Sequence, residues 1–187
     1  MTDDYDPLVS LVYSSGDHSL DEYSTLYLDD FLVASNDRVQ SRREAALYGL
    51  RLRYTLQNQL AGQEDTFETV TVNDRYRNSR EPGLLTMRAK ITVFDRGSGW
   101  QRFFLWRGAT DFQIECQLVD AATGDVVMEL VDRRRFLANT PWGPNPDTFD
   151  DDYVMRLTLK QTAVCLADFL ENAYHGLPGP RRAEGKT

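Results

Sequence analysis

The chain has 187 residues, 41% of them hydrophobic and 27% charged, which is too apolar for wholesale disorder and suits one domain with tails. No apolar run approaches the ~20 residues that a spanning helix needs. The net charge is −8, but the first 30 residues hold eight acids (Asp3, Asp4, Asp6, Asp17, Asp21, Glu22, Asp29, Asp30) and no Lys or Arg, so that 21 acids and 21 basic residues balance in the remainder.

Residues 1–23 mix Asp, Ser, Tyr and Gly without a period and read as an acidic leader or tether. Residues 24–34 form an apolar, β-prone run that predicts a strand. From Ser41 to Ala61 the period becomes helical, with Ala45, Gly49, Leu52, Leu56 and Leu60 recurring at steps of three and four. Ser41 with Glu44 three residues later is a capping-box pair, and Gly62 suits a left-handed position after the helix.

Residues 67–73 alternate as a short strand, and 74–83 form a polar loop. Over 84–95 the residues Leu85, Met87, Ala89, Ile91 and Val93 share one face and Arg88, Lys90 and Thr92 the other, as in an antiparallel sheet with one wet side. Gly97 to Gly99 is a turn, and 100–107 reads as the return strand. Residues 111–119 place Phe112, Ile114, Cys116 and Leu118 inward; Asp120 to Gly124 turns, and 125–137 completes a hairpin.

Residues 138–149 hold three prolines and a glycine and read as a loop. Asp150, Asp151 and Asp152 open a last helix that runs to about Tyr174, followed by Gly176, Pro178 and a disordered tail over 177–187. The order β-α-β-β-β-β-β-α predicts a single α+β domain over 24–176. Its expected architecture is a two-layer sandwich, a mostly antiparallel sheet of about five to six strands with two amphipathic helices.

The residues that ordinarily carry chemistry are scarce. Cys116, Cys165, His18 and His175 stand singly, whereas a zinc site gathers four ligands at short spacings. No metal, cofactor or catalytic residue is therefore assigned. The two cysteines fit either buried thiols or a disulfide formed in an oxidising compartment. The acidic N-terminus lacks the basic and apolar regions of a secretory signal, so this chain reads as cytoplasmic unless a signal has been removed.

Asp29 and Asp30 sit mid-strand, where Asp is disfavoured. An Asp-dependent hydrolase or a metal-dependent enzyme is one reading, but neighbouring strand residues face opposite ways and do not readily share a site. A structural role at a strand end is the stronger reading. The acids at 150–152 suit a helix start, which favours carboxylates. Residues 75–107 carry eight basic side chains against two acids, interleaved with aromatics. That stretch offers a nucleic-acid-binding alternative, which the acidic chain as a whole disfavours. A protein partner or a homo-oligomer contact is the more natural use, through Arg88, Lys90, Arg102, Trp106 and Arg107. Arg133 to Arg135 read as a solvated strand end.

The stretch from Ile91 to Arg102, with its Gly97-Ser98-Gly99 turn, and the stretch from Gly108 through Asp120-Ala-Ala-Thr-Gly124 to Val127 carry a resemblance, as does the opening Leu26–Val33. They resemble a family of uncharacterised bacterial envelope lipoproteins, a domain-of-unknown-function group. The order of elements is more distantly similar to the periplasmic domain of the curli-secretion channel lipoprotein. The resemblance implies a non-enzymatic accessory or assembly role in the periplasm or at the outer membrane, with membrane attachment only through a lipid anchor absent from this chain. It supplies no catalytic residues.

Overall fold

The computed structural model describes residues 9–15, 18–63, 66–97, 110–136 and 151–176. Among them the order is β1 (Val9–Ser14), β2 (Thr25–Leu28), β3 (Leu32–Val33), α1 (Arg42–Ala61), β4 (Thr69–Thr71), β5 (Leu84–Asp95), β6 (Thr110–Asp120), β7 (Val126–Phe136) and α2 (Asp151–Tyr174). Short 3-10 turns lie at Leu20–Glu22 and Asp74–Tyr76. The strands form one sheet in the order β1-β7-β6-β5-β2-β4, with β3 pairing β5 beyond the end of β2. The long strands β5, β6 and β7, with β1, are antiparallel; β2, β3 and β4 join in parallel.

Alternation along the long strands decides what is covered. Leu85, Met87, Ala89 and Ile91 of β5 share a buried core with Ile114, Cys116 and Leu118 of β6 and Leu130 of β7. Leu52, Leu56 and Leu60 of α1 and Met155, Leu166, Phe169 and Leu170 of α2 close that core from the other side. Both helices therefore lie on one face of the sheet, giving the two-layer α+β sandwich.

The helices run side by side in the same direction. Their starts share Arg96, whose Nη1 lies 3.2 Å from Glu44 and whose Nη2 donates to Asp152 at 2.6 Å. At the far end Gln63 donates to Glu171 at 2.8 Å, and Phe67 meets Tyr174 edge-on. Negative side chains in a first helical turn also oppose the dipole's positive end. The Glu44 N–H donates to Ser41 Oγ at 3.4 Å, so half of the capping box forms while the Glu44 carboxylate serves Arg96.

Five details differ from the sequence reading. Residues 9–14, read as part of a leader, form edge strand β1 against β7. The run 24–34 is two strands, because Asp29 accepts the N–H of Asp30 at 2.8 Å and breaks the ladder between β2 and β3. The pairing of β5 with β6 shifts between Ile91 and Val93, so Phe94 rather than Val93 joins the helix-covered core, against Tyr48. Gly62 is right-handed, at φ −90°, and uses no special freedom.

The fifth is Arg134, which is not solvated: it is buried beside Asp132, two residues away on the same strand face. Its Nε and Nη2 donate to the Asp132 carboxylate at 2.9 and 3.1 Å. Burial pushes the Asp132 carboxyl upward, and Arg134 opposes that shift. The return strand read over 100–107, the loop over 138–149 and the tail over 177–187 lie outside the described residues.

One glycine sits where packing is tight. A Cβ on Gly49 would stand 3.2 Å from Ile91 Cδ1 and 3.5 Å from Phe31 Cβ, where α1 presses on the sheet. Gly49→Val should lower the unfolding free energy by about 1–3 kcal/mol in denaturant titrations. Gly49→Ala should be close to neutral, since its helix-propensity gain of about 1 kcal/mol offsets the tight contact.

Asp120 ties the Leu20–Glu22 turn to the β6–β7 hairpin. It accepts the Tyr23 hydroxyl at 3.0 Å and the N–H groups of Ala122 and Thr123 at 2.7 and 3.1 Å. Burial alone would raise its pKa, but the N–H donors and the Tyr23 hydroxyl outweigh it and hold the carboxyl below its ordinary value. A depressed carboxylate contributes stability that is present above the unfolded pKa and lost as pH falls through the folded one. The parent should therefore lose stability as pH falls below about 4, and Asp120→Asn should show a smaller loss over that window in acid-unfolding curves.

Candidate interaction surface

The face of the sheet away from the helices carries the sequence-predicted residues Arg88 and Lys90, and both are exposed. Arg88 of β5 pairs with Gln117 of β6, which pairs with Glu129 of β7, which pairs with Tyr13 of β1. The next row runs from Leu32 of β3 through Lys90 and Glu115 to Val131. The basic side of β5 thus meets acids one and two strands away. Opposite charges across a strand pair stabilise it by about 0.2–1 kcal/mol.

Leu32 is 63% exposed and lines, with Arg88, Lys90, Glu115, Glu129 and Val131, a shallow depression of about 370 Å³. This surface mixes both signs of charge with aliphatic side chains. A polyanion site would present one sign. Arg102, Trp106 and Arg107, named with Arg88 and Lys90 as a partner surface, lie outside the described residues. Cys116 and Cys165 are buried thiols, not joined in a disulfide. Burial pushes the Cys116 thiol well above its ordinary value, with Asp132 adding to the shift, so it is not a nucleophile at neutral pH.

Asp29 and Asp30 do meet at one place, because the break after β2 frees them from strand alternation. Asp29 Oδ1 accepts from the Tyr27 hydroxyl at 3.2 Å and from Arg77 Nε at 3.3 Å. Asp30 accepts from Arg53 Nη1 at 2.6 Å and from Arg77 Nη2 at 2.5 Å, and Asp74 also holds Arg77 at 3.1 Å. The two carboxylates are thus bound to guanidinium groups. Among the described residues no group of three or more His, Cys, Asp or Glu side chains could hold a metal ion.

Arg53 is the buried centre of this cluster, only 5% exposed. Besides Asp30 it donates to the carbonyls of Leu28 at 2.8 Å and Val72 at 3.1 Å, where β2 and β4 end. Sequence reasoning missed it, since an arginine in an amphipathic helix is read as solvent-facing. Its position next to Leu52 and one turn from Gly49 and Leu56, all on the buried stripe, was the available signal.

The sequence matches no protein-family model and no curated protein. Solved structures do resemble the chain. A Xanthomonas campestris protein of the DUF330 family is 8% identical, with 84% of this chain and 89% of that one covered at a TM-score of 0.51. The PelC dodecamer from Paraburkholderia phytofirmans is 10% identical, over 84% and 95%, at 0.48. Lipoprotein GNA1162 from Neisseria meningitidis is 10% identical, over 75% and 98%, at 0.37. The Xanthomonas likeness shows a shared fold.

The cluster around Arg53 makes a sharp expectation. Arg53→Ala strands two backbone carbonyls and takes one of its two guanidinium partners from Asp30, and should cost about 3 kcal/mol or more of stability. Arg77→Ala, whose side chain is well exposed, should leave the melting temperature nearly unchanged. A catalytic cluster would show the reverse, with stability tolerant and function lost at both positions.

Proposed function

We propose that this chain is a non-enzymatic accessory or assembly domain of the bacterial envelope that binds a protein partner through the open face of its sheet. The observation that carries this reading is the patch of exposed Leu32, Arg88, Lys90 and Glu115 with half-buried Glu129 and Val131, which the described residues leave uncovered while both helices occupy the opposite face. Aliphatic contact combined with paired charges of both signs is how protein interfaces fix register. The engagement of Asp29 and Asp30 by Arg53 and Arg77 supports a non-catalytic role for those acids. No helix among the described residues is long and apolar enough to cross a membrane.

Site-specific photo-crosslinking in cells that carry the natural gene tests this reading. A crosslinker at position 90 should give a discrete protein adduct in the envelope fraction, and Arg88→Glu should reduce it at least several-fold. A crosslinker at Lys160, exposed on α2, serves as the comparison. Absence of a position-90 adduct, or adducts removed by nuclease, would contradict the proposal.

A further inference from the structure

The outer side of α1 is not the polar surface that a helix packed on a sheet ordinarily presents. Leu47, Leu50 and Tyr54, at steps of three and four, are 51%, 48% and 48% exposed. Arg42, Arg43 and Arg51 are exposed beside them. The helix contains one acid, Glu44, and Arg96 already holds it. This face is therefore apolar at its centre and positively charged around it. It calls for an acidic surface that offers an apolar or aromatic group.

The open sheet face has that character at its β1–β7 end. Tyr13, Ser15, His18, Asp125, Val126 and Glu129 line an open groove of about 580 Å³. Tyr13 is 47% exposed, and Asp21 and Glu22 are exposed nearby, on the turn that follows His18. Among the described residues no Lys or Arg lines the groove. The groove belongs to the sheet side and the α1 stripe to the helix side, so one molecule cannot bring its own pair together.

We propose that the protein partner is a second copy of this chain, the α1 face of one copy docking into the acidic groove of the next. The inference rests on reading the open sheet face as a binding face. The contact is head-to-tail: a pair keeps one free α1 face and one free groove, and the assembly closes into a ring or continues as a filament. Charge complementarity between unlike surfaces selects this arrangement, because two α1 faces or two grooves would repel.

Mixing two interface variants of the full chain tests the proposal. Leu47→Glu/Leu50→Glu removes the α1 face, and Asp125→Lys/Glu129→Lys removes the groove. By sedimentation velocity the parent should associate beyond a dimer at sub-millimolar concentration, and weaken between about 50 mM and 500 mM salt. Each variant alone should be monomeric, with circular dichroism and melting like the parent's. Their equimolar mixture should stop at a dimer, since it holds one intact pair of surfaces. A parent that stays monomeric would overturn the proposal, as would a mixture that does not pair or an α1 variant that still assembles. So would parent binding to phosphatidylglycerol–phosphatidylethanolamine vesicles through Leu47 and Leu50 without self-association. A monomeric parent whose position-90 crosslink still depends on Arg88 would remove the second copy while leaving the sheet-face reading intact.

Discussion

Both long helices lie on the same face of one sheet, and that constraint organises everything else. The crossover from β3 through α1 to β4 places α1 on the side where the inward residues of β5 point. Once that side is chosen, α2 fills the space beside α1 over β6 and β7. A sheet with helices on one side has its other side left to solvent or to another molecule. The period-two alternation of β5 and β6 separates the two environments residue by residue: Ala89 is buried, while Arg88 and Lys90 on either side of it are exposed.

Arginines hold the layers in register at three places. Arg96 gathers the starts of both helices, Arg53 joins α1 to the ends of β2 and β4, and Arg134 sits with Asp132 beneath α2. The planar guanidinium suits each task, because its several donors reach a carboxylate and carbonyls together. Asp132 and Arg134 are expensive to desolvate and must stay together, since removing one partner of such a pair costs about 3–5 kcal/mol. These ties absorb charges that would otherwise look available for chemistry, Asp29 and Asp30 above all.

Much of this was legible in the sequence. The helix over Ser41–Ala61, the alternation of β5, the β6–β7 hairpin and the final helix follow from periods of 3.6 and 2 and from turn residues. The unreadable parts are those where tertiary contacts override local pattern. β1 is a short edge strand within an acidic stretch, so only its pairing with β7 identifies it. The parallel joining of β2 and β4 to the sheet depends on the α1 crossover, which no local signal encodes. Asp29 and Asp30 come together only because the chain bends between β2 and β3. The surface is similarly divided: Arg88 and Lys90 were readable as outward-facing, whereas the acids opposing them are set by register. The apolar side of α1 went unnoticed because its buried stripe satisfied the helical pattern by itself.

Thiol reactivity at two neighbouring positions of β5 tests the two-sided account most directly. In dilute protein, Lys90→Cys should react with a small disulfide reagent nearly as fast as an unfolded thiol. Ala89→Cys, like the native Cys116 and Cys165, should react only on unfolding. A Lys90→Cys thiol protected at every dilution would mean that the face is covered within the single chain. That result would contradict an open sheet face.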